Sequence, residues 1–141
     1  QASLAAALAF SAPACTNTPA TPTTTTSTSD GAGAVEVYTG TLAPRGVGYY
    51  SFQATGNANA TFTLASLTSP TTGRPVSANL QLGVGIPAGE GCSVTNAVTA
   101  APGLQAQLTS PVVIGTYCVQ LADTGSSLAS TVTFAVRIQR P

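Results

Sequence analysis

The sequence predicts an all-β protein, an antiparallel β-sandwich of jelly-roll-like form with an extended N-terminal arm. Three observations lead there. From Ala34 onward, apolar residues recur at every second position in short runs. Gly, Pro and Asn punctuate the gaps between runs, and no stretch of this region shows the helical period. The 141-residue chain divides into an apolar arm (1–14), a Thr/Pro-rich linker (15–33) and the sandwich (34–141).

The first strand is AVEVYTGTLA (34–43), stopped by Pro44, with Pro-Arg-Gly turning the chain into VGYYSFQAT (47–55). There Tyr50 and Phe52 alternate with Ser51 and Gln53. After a Gly/Asn turn, ATFTLASLT (60–68) sets Phe62 and Leu64 on one face. ANLQLGVGIP (78–87) alternates Leu80, Leu82, Val84 and Ile86 with Asn79, Gln81, Gly83 and Gly85, and a further strand is expected after Cys92. GLQAQLT (103–109) reads as a strand of weaker pattern. IGTYCVQLA (114–122) groups Tyr117, Val119 and Leu121, and STVTFAVRIQ (130–139) groups Val132, Phe134, Val136 and Ile138. Seven or eight such strands build a sandwich around one core.

Charged residues make up 6% of the chain, against about 25% in an ordinary protein. Four arginines balance four acids, and lysine and histidine are absent, so the net charge is zero. That excludes the basic footprint of a nucleic-acid binder and the polybasic patch of a lipid binder. No apolar run reaches the ~18 residues of a transmembrane helix. Little charge repulsion keeps copies apart, so self-association, a sugar coat or both are expected.

The three cysteines are Cys15, Cys92 and Cys118. In a secreted chain they read as one disulfide, Cys92 with Cys118, plus an odd thiol. Closing that loop stabilises the fold by roughly 3–4 kcal/mol on the chain-entropy model. Without histidine, and with these spacings, a zinc site does not fit. Neither a metal nor a cofactor is expected.

GTLAPRGVGYYSF (40–52), ATFTL (60–64), ANLQLGVGIP (78–87), GTYCVQLAD (115–123) and TFAVRI (133–138) together resemble the bacterial pre-peptidase C-terminal domain. The resemblance covers about residues 34–140 and rests on structural motifs. It implies a small secreted jelly-roll-like sandwich, a fold that accompanies secreted enzymes and in some members binds calcium or matrix polymers. Where family members often carry acids, this chain has Ser77, Ala78 and Asn79.

Little else carries chemistry. The acids Asp30, Glu36, Glu90 and Asp123 form no local pair, and a Ser-His-Asp triad is excluded by the missing histidine. No GxSxG elbow occurs, and Cys118 lacks a histidine to activate it. The chain is therefore expected not to be an enzyme. GVGIPAGEG (83–91) has no lysine and opens no helix, so it reads as a flexible loop with bulges and not as a phosphate cradle. Tyr38, Tyr49, Tyr50 and Tyr117 are candidates for a sugar platform, with packing, between the sheets for Tyr50 and Tyr117, as the plainer role. Asn59-Ala60-Thr61 is a formal N-glycosylation sequon. Residues 16–29 hold eight Thr, two Ser and two Pro without a charge, an extended linker. Thr21, Thr23, Thr24, Thr25, Thr26 and Thr28 are its candidate O-glycosylation sites.

The arm QASLAAALAFSAPAC admits three readings. As the tail of a lipoprotein signal, it would make Cys15 a lipidated anchor, with residues 1–14 removed on processing. As an Ala-rich helix, it would pair Leu4 with Leu8, at a length marginal for an isolated helix. As a strand, it places Leu4, Leu8 and Phe10 on one face and Ala5, Ala7 and Ala9 on the other, suited to docking on another subunit. Head-to-tail docking that closes no ring gives a filament. The expectation carried forward is a non-enzymatic structural subunit at the extracellular cell surface. Its partners would be copies of itself, with glycans on the linker. The alternative is a surface lipoprotein or accessory module that binds polysaccharide or matrix polymer.

Overall fold

A computed structural model describes residues 27–28 and 33–141, and these residues form nine strands and no helix. Leu4, Leu8, Phe10, Cys15, Thr21, Thr23, Thr24, Thr25 and Thr26 lie outside them. The strands are β1 (Ser27–Thr28), β2 (Ala34–Leu42), β3 (Val47–Ala54), β4 (Ala58–Thr68), β5 (Leu80–Ala88), β6 (Gly91–Ala100), β7 (Leu108–Val112), β8 (Gly115–Ala122) and β9 (Val132–Arg140). They make two antiparallel sheets, ordered β1-β2-β9-β4-β7 and β3-β8-β5-β6. The two sheets pack face to face as a β-sandwich.

Alternation explains the packing. Val132, Phe134, Val136 and Ile138 of β9 are all buried, together with Phe62, Leu64 and Leu67 of β4. The opposite layer supplies Phe52, Leu80, Leu82, Val84, Val119 and Leu121. In β4 the register shifts between Leu64 and Ser66, so the extra residue returns Leu67 to the inner face.

Connections fix the flanks. β2 passes to β3 through residues 43–46, crossing from one sheet to the other, so these two strands stack on one flank. Pro44 leads the turn, Arg45 takes φ 57°, and the Gly46 amide donates to the Ala43 carbonyl at 2.8 Å. β6 passes to β7 through residues 101–107, so that pair forms the opposite flank.

Three sequence expectations need correction. Residues 103–107 are not strand; β7 starts at Leu108. The Gln107 side chain takes over that ladder, accepting from the Leu64 amide (2.7 Å) and donating to the Ala101 carbonyl. The Gly103 amide donates to the Leu64 carbonyl and the Gln107 amide to the Phe62 carbonyl, while Leu104 points to solvent. The stretch 83–91 is no loop, because β5 runs on to Ala88 and turns at Gly89-Glu90 into β6. Ile86 keeps step with Leu80, Leu82 and Val84 along β5 but is not buried with them: the ladder to β8 ends at Gly85, and Ile86 is 57% exposed.

Candidate functional site

The disulfide joins Cys92 of β6 to Cys118 of β8, with S–S 2.02 Å and Cα–Cα 5.8 Å. These strands are not neighbours, since β5 lies between them. The bulge brings the two cysteines together. Val119 and Leu121 face the core, so Cys118 faces outward. Val98 and Ala100, opposite Leu82 and Leu80, face inward, and unbroken alternation would turn Cys92 inward as well. The register passes from Val84↔Asn96 to Gly85↔Val94, leaving Thr95 as the extra residue and Val94 and Cys92 on the outer face. The hairpin tip can then curl over β8, because Gly85 has no side chain. A Cβ there would sit 1.9 Å from the Ser93 carbonyl oxygen.

Glu36 and Asp123 are buried, and each has a structural task. Glu36 points between the sheets and forms an ion pair with Arg140 at the end of β9. The Tyr50 hydroxyl donates to its other carboxylate oxygen at 3.1 Å. A cleft of about 290 Å³ opens beside this pair, lined also by Ser51, Gln53 and Thr116. Asp123 follows β8 and accepts backbone hydrogen bonds from Arg45 (3.0 Å), Ser127 (2.7 Å) and Leu128 (3.2 Å). The Arg45 amide foremost holds the Asp123 carboxyl below its ordinary 3.8. This clamp spans two loops and fixes two residues with positive φ, Arg45 and Ser126. Among the described residues, no cluster of three or more acids and cysteines could hold a metal.

The tyrosines separate by environment. Tyr38 is buried, stacked on Tyr50 at 5.3 Å across the two sheets, with Phe134 edge-on at 4.9 Å. Burial pushes its hydroxyl up to about 12. Tyr117 stacks on Phe52 at 5.9 Å, and its hydroxyl accepts from the Val113 amide. Tyr49 alone among the four is exposed. The structure thus brings no aromatic platform together.

What remains is the periphery of the sheets. β1 pairs with β2 only at Ala34 and Val35, placing the linker's end, Thr28 included, on the β2 flank. β7 is five residues long and contains Pro111, which has no amide hydrogen. β4 beyond Phe62 is capped by Gly103 and Gln107 and, further on, by Val76, whose amide donates to the Leu67 carbonyl. The edges of the second sheet, β3 and β6, are different: among the described residues β3 pairs with β8 alone and β6 with β5 alone, and neither VGYYSFQA nor GCSVTNAVTA includes a charge or a proline. Where β6 ends, a cavity of about 560 Å³ opens, lined by Ala65, Leu67, Val76, Ala78, Ala101 and Pro102 among others.

Sequence reasoning found the disulfide but missed the Glu36–Arg140 pair, whose members lie 104 residues apart and carry no local signal. The Asp123 clamp had a faint one: Asp-Thr-Gly-Ser is a turn-forming run. No protein-family model matches this chain, and no curated protein matches it.

Proposed function

We propose that this chain is a non-enzymatic, extracellular structural subunit. It polymerises head-to-tail through its N-terminal arm into a filament at the cell surface, with glycans on the Thr-rich linker. The observation that carries this reading is how the sandwich spends its few charges. Its two buried carboxylates are occupied by Arg140, Tyr50 and three backbone amides, while a ten-residue strand edge bears no charge at all. A surface of that kind suits packing against protein better than catalysis. The likeness to pre-peptidase C-terminal domains agrees with secretion and with a non-catalytic role. No helix among the described residues is long and apolar enough to cross a membrane.

Deleting residues 2–11 tests the proposal. The shortened chain should fold, close its disulfide and remain monomeric in light scattering, while the full chain forms large particles. Filaments formed equally well without the arm would contradict it.

A second reading draws on the cleft beside Glu36. Gln53 and Thr116 hydrogen-bond to each other at its rim at 2.9 Å, and polar rims of this sort suit a saccharide. On that reading the chain is a surface lipoprotein or accessory module for a polysaccharide. Glycan-array binding by the monomer, lost on Gln53→Ala, would favour it over the filament.

A further inference from the structure

We infer that the free edge of β6, with the apolar cavity at its end, is the acceptor for residues 4–10 of a second copy of this chain. The inference rests on the filament reading and adds the place where the arm docks.

Four features carry it. First, among the described residues β6 is a strand edge paired on one side only; its backbone can pair with an added strand, and no charge or proline within it repels one. The other edge of the first sheet, β7 and the outer half of β4, is blunted by Pro111 and by the loop capping through Gln107 and Val76. Second, the edge is held in place. Cys92 ties the β6 tip to β8, so little ordering remains to be done on docking. Third, the strip Val94–Ala100 spans seven residues, one of them the bulged Thr95, a length comparable to Leu4–Phe10, whose large side chains alternate with alanines. The cavity at the Ala100 end, about 560 Å³ and lined by Leu67, Val76, Ala78 and Pro102, is a socket for the arm's terminal large side chain.

The fourth feature selects trans over closed pairing. The linker enters on the flank of β1, β2 and β3, whereas β6 lies on the opposite flank. The edge of β3, which among the described residues pairs with β8 alone, is on the donor's own side, where an arm would fold back or close a swapped dimer. Donor and acceptor on opposite flanks make a heterologous contact, which propagates. The sixteen residues from Ser11 to Thr26 reach at most roughly 55 Å, enough to cross to a neighbour.

A complementation experiment with full-length chains tests this. One variant, Leu4→Asp/Leu8→Asp/Phe10→Asp, loses the arm but keeps the edge. The other, Ala97→Lys/Thr99→Lys, keeps the arm and places lysines at two exposed positions on the outer face of β6. An Ala97→Glu/Thr99→Glu version checks that the effect does not depend on the sign of the charge. A closed disulfide and an unchanged Tm show that each variant is folded.

Each variant alone should be monomeric at 13.9 kDa, and an equimolar mixture should give a heterodimer of twice that mass and nothing larger. Polymers from both edge variants, with none from the arm variant, would overturn the β6 assignment while leaving the filament reading intact. Polymers from the arm variant would overturn both. Two monomeric variants that fail to pair on mixing would also overturn the assignment, as would a wild-type chain that is itself monomeric.

Discussion

Asp123 shows how one side chain can govern two loops. Its carboxylate gathers the amides of Arg45, Ser127 and Leu128, and its own amide donates to the Gly46 carbonyl at 3.0 Å. Hydrogen bonds to the charged form lower its pKa, so the folded protein binds this proton more weakly than the unfolded chain. The stabilisation is therefore full above 3.8 and is lost as pH falls below that value. Asp123→Ala should lower Tm at pH 7 and flatten the dependence of Tm on pH in the acid range. A mutant whose acid limb matches wild type would contradict the clamp. Glu36 and Arg140 present a different balance, because both are taken out of water. Glu36→Leu leaves the guanidinium stranded and should cost about 3 kcal/mol in urea denaturation. Adding Arg140→Met should recover part of that loss, since the pair then leaves together. Strict additivity of the two substitutions would show that they do not interact.

At the scale of elements, the β5–β6 hairpin marks how far periodicity could be followed. The alternation of Leu80, Leu82 and Val84 was legible because each step of two returns a side chain to the core. At Ile86 the alternation runs on but burial stops, because the ladder to β8 ends at Gly85; on β6 a bulge at Thr95 reverses the facing of Cys92, and nothing near Gly85 announces this except a lack of side chains. The pairing of Cys92 with Cys118 was nonetheless legible, because only those two cysteines lie within the alternating region. The segment 103–107 looked like a strand for a related reason. Its alternation is real, yet the Leu64 amide donates to the Gln107 side chain where a ladder would offer a backbone carbonyl. If the bulge sets the face of Cys92, deleting Thr95 should leave Cys92 and Cys118 as free thiols after refolding. Two additional alkylated cysteines by intact mass would bear that out, and an unchanged disulfide would refute it. Reducing the bond in the wild-type protein should lower stability by roughly 3–4 kcal/mol.

Taken whole, the molecule joins an apolar arm to a sandwich with so little charge that electrostatics cannot hold copies apart. The sandwich was legible from strand spacing and alternation alone. The candidate acceptor was not, because an edge is a property of strand order, and strand order depends on which distant segments pair. Nothing in GCSVTNAVTA distinguishes an edge from an interior strand. The same limit hid the cavity at its end, which three separate segments enclose. The linker contributes the other half of the geometry, since the pairing of Ser27 and Thr28 with β2 sets those two residues on the far flank from β6. Sedimentation of the full chain over a wide range of concentration measures the central claim directly. Assembly through the arm predicts species that grow without a fixed upper size as concentration rises. A single boundary at 13.9 kDa throughout would contradict it.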